Sequence, residues 1–363
     1  MTDRKINIKS YTRNELRQVV AELGEPKYRV EQLHRWLFSN RADDFESMTS
    51  FGSKLRNKLS RRYFIPSCSI ERQQHESSIK EGAGTSKFLI KLHDGETVET
   101  VHIPADERNT VCVSSQVGCP LSCTFCATGY MGFTRNLNAS EIVEQVYLVN
   151  DHITAQSSAN HVTNMVFMGM GEPLLNLSSV MEAVETLANQ DYELTLSQRR
   201  ITISTVGLVP QIDSIAQSGL KTKLAVSLHA ADQEKRSALI PIAKEHTVIN
   251  LRNALIRYAE RTEEPVTLVY MLLEGINDSA QDAKNLAAFS RNFLCKINLI
   301  DYNSIVNMRF KSVNAKKRDS FIRVLVDAGL HVTVRKSHGA SINAACGQLA
   351  LRKKQITASG RIN

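Results

Sequence analysis

The 363-residue sequence predicts an α/β fold in which parallel strands and helices form an open or partial barrel, preceded by a small helical module and a β-hairpin. Strand and helix patterns alternate about six times after residue 111, which indicates right-handed crossovers and a parallel sheet. An Asp94-Gly95 turn separates two extended runs and predicts the hairpin. The unusual motifs of the second half fall at or near strand ends, where barrels of this kind carry their chemistry.

The chain begins with a helical pattern. Leu16, Val19, Val20 and Leu23 recur at helical spacing, and residues 11–64 predict a compact helical module. We therefore expect four segments: an N-terminal helical domain (1–75), a linker and hairpin (76–110), the partial barrel (111–350) and a basic tail (351–363).

The barrel segments follow from alternating apolar patterns. The predicted strands are 111–116, 164–170, 199–205, 223–229, 266–273, 296–302 and 331–336. Helices predicted between them include 140–152, 176–189, 279–292 and 315–328.

Composition places the chain among globular proteins, with 42% hydrophobic and 23% charged residues. The longest apolar run, residues 266–273, is far shorter than the roughly 18 residues of a membrane span. The polar start MTDRKINIKS lacks the apolar stretch of a signal peptide. We expect a cytoplasmic protein with no membrane partner.

The net charge of +8 is concentrated at the two ends of the chain. Residues 1–64 hold fourteen Lys and Arg against eight Asp and Glu, and the last thirteen residues add four cations and no acid. Such ends suit a polyanion such as nucleic acid. They equally suit a solvated surface, and charge alone does not separate the two interpretations.

Three of the seven cysteines lie in VGCPLSCTFCATG, residues 117–129, as Cys119, Cys123 and Cys126. Zinc would normally take a fourth protein ligand, whereas a four-iron cluster held by three cysteines keeps one iron open. Buried structural thiols are the third alternative. The CxxxCxxC spacing, with the aromatic Phe125 before the third cysteine, resembles the radical S-adenosylmethionine (SAM) superfamily. That resemblance implies a [4Fe-4S] cluster whose free iron binds SAM.

Further residues match the SAM site of that superfamily. MGMGEP, residues 168–173, is either a tight βα turn or a stretch that a ligand approaches closely. The resemblance implies that Gly171 and Glu172 hold the amino group of SAM. His229, in isolation, would more often be structural. The resemblance assigns to the lining of SAM the residues Ser204, Ser227, Leu228, His229 and Asn303.

A narrower resemblance joins CVSSQVGC, FMGMGEPLLN, SLHA, INDS, CKINLI and AACGQL. Together these motifs resemble the RlmN/Cfr adenine methyltransferases of rRNA, over nearly the whole chain. The resemblance implies methylation of an adenosine in 23S rRNA, with tRNA as a second substrate and two SAM molecules per turnover. It also implies a reducing protein such as flavodoxin, RNA contacts through the N-terminal domain and basic tail, and a monomer.

The resemblance implies three catalytic residues. Cys346 takes a methyl group from one SAM, and a radical made from a second SAM removes hydrogen from that methyl, whose carbon then adds to adenine. Glu99 accepts the adenine proton. Cys112 attacks Cys346 in a transient disulfide that frees the product. Without the resemblance, each cysteine is a buried small hydrophobe and Glu99 an exposed strand carboxylate.

Within this family we expect methylation at carbon 2 of an adenosine in the peptidyl-transferase loop, and a Cfr-like carbon-8 methyltransferase that confers resistance to ribosome-targeting antibiotics is the alternative. GEPLLN, with Pro173 after the glutamate, resembles the carbon-2 enzymes of the family more than the carbon-8 enzymes, in which alanine is common at this position. A radical SAM enzyme acting on something other than RNA and a non-catalytic, metal-bearing RNA-binding protein are the alternatives of other classes. The chain departs from the family pattern near the SAM and Cys346 loops, at Asp301, Ser304, His338, Ala340 and Asn343.

Overall fold

The computed structural model describes residues 5–76, 84–105, 107–192, 194–305, 308–335 and 339–349. The strands are β1 (Ile6–Asn7), β2 (Tyr63–Phe64), β3 (Ser69–Glu76), β4 (Thr85–Lys91), β5 (Thr97–Ala105), β6 (Arg108–Cys112), β7 (Gln116–Gly118), β8 (Phe133–Asn136), β9 (Asn164–Phe167), β10 (Ile201–Thr205), β11 (Lys223–Ser227), β12 (Val266–Leu272), β13 (Cys295–Asp301) and β14 (Val332–Arg335). The α-helices are α1 (Arg13–Glu22), α2 (Arg29–Phe38), α3 (Ser53–Arg62), α4 (Ala139–Gln156), α5 (Leu177–Leu187), α6 (Val209–Ser218), α7 (Gln233–Leu239), α8 (Val248–Thr262), α9 (Ala280–Phe289) and α10 (Ala315–Asp327).

The central sheet has ten strands in the order β14-β13-β12-β11-β10-β9-β6-β5-β4-β3 within the described residues. The strands from β14 to β6 are parallel to one another, and helices connect most of them along the chain. The predicted α/β fold with an open parallel sheet is confirmed. The carboxyl ends of these strands therefore meet at one edge, where the predicted site residues lie.

The predicted hairpin is present and is continuous with the barrel sheet. β4 and β5 pair antiparallel from Lys91↔Thr97, and Gly95 in the turn has φ +89°. β5 pairs antiparallel with β6, so the hairpin extends the parallel sheet. β3 adds an outer strand that the sequence did not predict, because its residues are polar and lack apolar alternation. We call β3, β4 and β5 the extension.

The predicted strand 111–116 is wrong at its second half. β6 ends at Cys112, and the main chain of Ser114 and Ser115 leaves the sheet. The Ser114 N–H donates to Gln145 Oε1 (2.8 Å), and the Ser115 N–H donates to Met170 O (2.8 Å). The chain then forms β7, which pairs antiparallel with β8 in a separate two-stranded sheet. This bend places the cysteine run beside the end of the parallel sheet.

The N-terminal helices pack onto the barrel through a shared core. A capping box between Thr12 and Glu15 starts α1. A single hydrophobic core contains buried residues of the N-terminal helices and of the barrel, the first being Ile8 and the last Leu349. Ion pairs add polar links, including Lys9 Nζ to Glu144 Oε1 at 2.6 Å. None of the described helices combines the length and the apolar character that a membrane crossing requires.

Candidate functional site

A cavity lies at the carboxyl ends of the parallel strands. Its volume is about 920 Å³ with the solvent at its mouth included. The cysteine run, the turn after β9 and the ends of β10, β11, β12 and β13 form its walls, and the segment 339–349 contributes its last side chains. The site residues predicted from the sequence that line it are Cys119, Cys123, Cys126, Gly171, Glu172, Ser204, Ser227, His229 and Cys346.

The three cysteines of the run lie together on one wall. The Cys119 N–H donates to Gly132 O (2.9 Å), and the Cys126 N–H donates to Cys123 O (3.2 Å), so main-chain bonds fix the loop. Burial raises the pKa of Cys119 to about 12, and it also raises the pKa of Cys123 and Cys126. The neighbouring thiols raise the pKa of Cys123 further, because like charges repel at close range.

This donor set fits an iron–sulfur cluster. Three soft thiol ligands on a cavity wall are the ligand type that such clusters take. No trio of His, Cys, Asp or Glu within the described ranges converges on a single ion. The thiolates of a cluster bind separate irons and are not expected to converge on one point.

Glu172 is a buried carboxylate on the cavity wall, 3% exposed. Its oxygens accept from the N–H groups of Leu174 (3.0 Å) and Val206 (2.9 Å). Burial raises its pKa to about 7, opposed by these donors and by the Thr205 hydroxyl. Neutral donors leave the negative charge uncompensated, and an ammonium group is the ligand that would compensate it.

Gly171 shapes the approach to this carboxylate. Its φ is +99°, and a Cβ at this position would lie 2.6 Å from Gln116 Cβ. The Gln116 side chain accepts from the Glu172 N–H (2.8 Å). A side chain at residue 171 would therefore meet both backbone strain and a clash.

His229 is held as a neutral imidazole at the cavity. Burial lowers its pKa to about 3, and its Nδ1 accepts from the Met271 N–H (3.0 Å), which leaves the proton on Nε2. The Phe125 ring packs edge-on against it, with ring centroids 4.7 Å apart. The aromatic residue before the third cysteine thus joins the cysteine run to the end of β11.

Two predicted SAM residues do not line the cavity. Leu228 is fully buried; its N–H donates to the carbonyl of Val269, which lines the cavity (2.9 Å), and its carbonyl accepts from Arg236. Asn303 follows β13, and its amide nitrogen is buried without a hydrogen-bond partner in the described part of the chain. A buried amide donor without a partner costs free energy until an acceptor arrives, so Asn303 retains a capacity for a ligand.

The two predicted catalytic thiols lie close together. Cys346 lines the cavity, and the Ala127 N–H donates to Gly347 O (2.7 Å), which ties its segment to the cysteine run. Cys112 is the last residue of β6, is buried and does not line the cavity. Burial raises the pKa of Cys112 to about 12, nearby Cys346 raises it further, and the Arg335 guanidinium opposes both. All seven cysteines are free thiols in the structure.

Glu99 lies in β5 and outside the cavity lining. Its side chain is buried, which differs from the exposed strand carboxylate considered above. Its Oε1 lies 3.0 Å from Lys87 Nζ in β4. The Ser114 hydroxyl donates to its carbonyl (2.6 Å), so the bend after β6 also positions this residue.

The sequence did not identify Lys87, Gln116 or Arg236 as parts of the site. Arg236 is almost fully buried in α7, and its guanidinium donates to the carbonyls of Val206, Ser227 and Leu228 at the ends of β10 and β11. A cation within the sequence QEKRSAL is typical of an exposed helix face. No pattern in the sequence indicates that Arg236 is buried.

Three of the five departures from the family pattern, Asp301, Ser304 and Asn343, make polar contacts. Asp301 pairs with Arg318 (2.7 Å), and the Ser304 carbonyl accepts from Gln348 (3.1 Å). The Asn343 carbonyl accepts from Lys87, and Ala340 begins a short helical turn. His338 and the basic tail 351–363 lie outside the described residues.

Comparisons with known proteins agree with this arrangement. Residues 6–65 match the model of the ribosomal RNA large subunit methyltransferase N-terminal domain, and residues 113–287 match the radical SAM superfamily. A probable dual-specificity RNA methyltransferase RlmN of Chlorobium phaeobacteroides (strain BS1) is 66% identical, over 99% of both chains. The corresponding protein of Chlorobaculum tepidum is 55% identical, over 96% of this chain and 94% of its own length.

A solved structure shares the fold. The crystal structure of a radical SAM methyltransferase from Sphaerobacter thermophilus superposes with a TM-score of 0.83 at 39% sequence identity. The match covers 95% of this chain and 99% of that one.

Proposed function

The chain belongs to the RlmN family of radical SAM methyltransferases, and from this membership we propose that it methylates carbon 2 of an adenosine in the peptidyl-transferase loop of 23S rRNA. A tRNA is its second substrate, in keeping with the dual specificity in its relatives' names. The observation that carries the proposal is the pair of thiols, Cys346 and Cys112, beside a cavity that also holds the three-cysteine run.

Membership of the radical SAM superfamily implies a [4Fe-4S] cluster and SAM. Cys119, Cys123 and Cys126 would hold the cluster. The SAM ligands would be Gly171, Glu172, Ser204, Ser227, Leu228 through its main chain, His229 and Asn303. When bound, the cluster supplies an electron, and two SAM molecules per turnover supply a methyl group and a hydrogen-abstracting radical.

The chain's own residues handle the methyl carbon and the proton. Cys346 carries the methyl carbon as a thioether, and that carbon bonds to the adenine ring. Glu99 accepts the proton that leaves ring carbon 2. The Cys112 thiolate then bonds to the Cys346 sulfur, and the bond from that sulfur to the CH2 carbon breaks. The electron pair of the broken bond takes up a proton to complete the methyl group, the methylated base leaves, and the unpaired electron stays with the two sulfurs and passes to the electron carrier, which leaves a disulfide. A reductant resets the two thiols.

RNA binding is assigned to the basic ends of the chain. Lys54, Arg61 and Arg62 on α3 are exposed, which suits phosphate contacts. The target adenine must be unstacked to reach the cavity. The enzyme is further proposed to act in the cytoplasm as a monomer, with its electron supplied by a reducing protein such as flavodoxin.

Nucleoside mass spectrometry tests the proposal. Reconstituted enzyme, SAM and reductant are incubated anaerobically with a 23S rRNA fragment or with tRNA, and the digested RNA is analysed. We expect 2-methyladenosine with each RNA. Formation of 8-methyladenosine alone would refute the carbon-2 assignment. A Cys346→Ala variant serves as control, because a non-catalytic RNA-binding protein would be indifferent to it.

A further inference from the structure

Lys87 is a buried cation that joins two parts of the site. It lies in β4 of the extension, and its side chain is 9% exposed. Its ammonium group is 3.0 Å from Glu99 Oε1 and donates to the main-chain carbonyl of Asn343 at 3.2 Å. A buried ammonium group must be paired to offset its desolvation, and here the partners come from two separate segments.

The second partner lies in the segment that carries Cys346. Asn343 precedes Cys346 by three residues and has φ +52°, a conformation that non-glycine residues adopt rarely. A hydrogen bond from a buried cation to its carbonyl helps to hold the chain in this conformation. Lys87 therefore ties the turn before the methyl-carrying cysteine to the β5 carboxylate.

The extension contacts this segment at a second point. Glu76, at the end of β3, accepts from the N–H groups of Gly339 (2.7 Å) and Ser341 (3.0 Å) and from the Ser341 hydroxyl. Glu76 thus holds the start of the segment, and Lys87 holds its middle. Of the two residues, Lys87 is the one that also contacts Glu99.

We propose that Lys87 is a positioning residue that sets Glu99 and the Cys346 segment in one fixed relation, so that the proton acceptor meets the base that Cys346 has alkylated. The inference rests on the proposed function, because it assigns Lys87 to the step in which Glu99 takes the ring proton. Lys87 acts through Glu99 and does not itself touch the RNA base.

A double-mutant cycle tests the coupling. We expect Lys87→Met to lower kcat by roughly tenfold to a hundredfold, with an unchanged KM for RNA, because a misplaced base loses part of the roughly hundredfold to ten-thousandfold that general-base catalysis contributes. In a Glu99→Gln background the same change should cost less than about twofold, because the two residues act as one unit. Lys87→Arg should restore most of the activity. The matched control is Lys91→Met, which alters an exposed lysine of the same strand and should behave as wild type.

Hydrogen exchange gives a readout that does not need turnover. In the cluster-free protein, Lys87→Met should speed amide exchange in residues 342–347 by about tenfold, whereas Lys91→Met should leave it unchanged. Wild-type kcat in Lys87→Met, full additivity with Glu99→Gln, or unchanged exchange would each overturn the inference. If the wild-type enzyme makes no methyladenosine, the proposed function fails instead, and the exchange experiment still decides whether Lys87 holds the segment.

Discussion

Glu172 should make the cluster-free protein less stable as the pH rises. Burial raises its pKa from 4.5 to about 7 in the folded protein, so the folded state holds a proton that the unfolded state releases between these values. The stability contributed by the protonated carboxyl is present below pH 4.5 and is lost as the pH rises through about 7. The full difference corresponds to about 3 kcal/mol.

Urea unfolding of the reduced, cluster-free protein measures this effect. Relative to Glu172→Gln, the wild-type free energy of unfolding should fall by about 2 to 3 kcal/mol between about pH 5 and pH 8 and then level off. In Glu172→Gln the amide nitrogen faces one of the two main-chain N–H donors and cannot accept its hydrogen bond. This lowers the free energy of unfolding by an amount that does not depend on pH. Therefore only the difference between wild type and Glu172→Gln in how the free energy of unfolding changes with pH tests the prediction.

A second variant sharpens the assay. Thr205 donates to the Glu172 carboxylate and lowers its pKa, so Thr205→Val should move the fall in stability to a higher pH. Stability curves for wild type and Glu172→Gln that run parallel over the whole range would refute the reasoning. The free energy lost on ionisation is what an ammonium ligand would recover, which is why this carboxylate suits the amino group of SAM.

Three further predictions concern the thiols and the turn after β9. Cys346→Ala should abolish the mass gain of one methyl group on the peptide 339–349 after incubation with SAM, and a gain that persists would show that another residue carries the methyl. Cys112→Ala should leave RNA covalently joined to the protein on a denaturing gel, because the Cys346 sulfur keeps its bond to the methyl carbon; free methylated RNA at the wild-type rate would contradict this role. Gly171→Ala should lower the free energy of unfolding by about 1 to 3 kcal/mol, because its φ is +99° and the added Cβ would lie 2.6 Å from Gln116 Cβ. A Gly171→Ala variant with wild-type stability and SAM affinity would contradict this prediction, because it would show that the turn accommodates a Cβ without strain.

The fold could largely be predicted because its strands are apolar. β9 to β14 lie within a few residues of their predicted bounds. β9 to β13 are short, largely buried apolar runs, whereas β14, at the edge of the sheet, is partly exposed and has valine at alternate positions. β3 was missed because its residues, SIERQQHE, form an exposed strand without apolar alternation. The bend after β6 was missed because Ser114 and Ser115 leave the sheet through contacts with Gln145 and Met170, which are distant in sequence.

The site could be predicted where residue spacing carries the chemistry. The cysteine run and the turn after β9 have local patterns, and the structure brings both to the same cavity. Lys87 and Arg236 have no such local pattern. A single cation in a strand or helix is usually exposed, so the sequence does not indicate that these two are buried. Their burial depends on carbonyls supplied by distant segments, such as Asn343 for Lys87. The Lys87 contact arises only when the extension packs against the segment 339–349, and the Arg236 contacts arise only when α7 packs against the ends of β10 and β11.

The outer strand of the extension has a consequence for how molecules of this enzyme meet one another. Among the residues that the structure describes, the ten-stranded open sheet ends at β3, whose outer N–H and C=O groups face away from β4. Charged and polar side chains, with an irregularity between Ile70 and Arg72, are devices that discourage strand-to-strand association between molecules. The polar and charged residues because of which β3 was not predicted thus also protect the enzyme against aggregation at this edge.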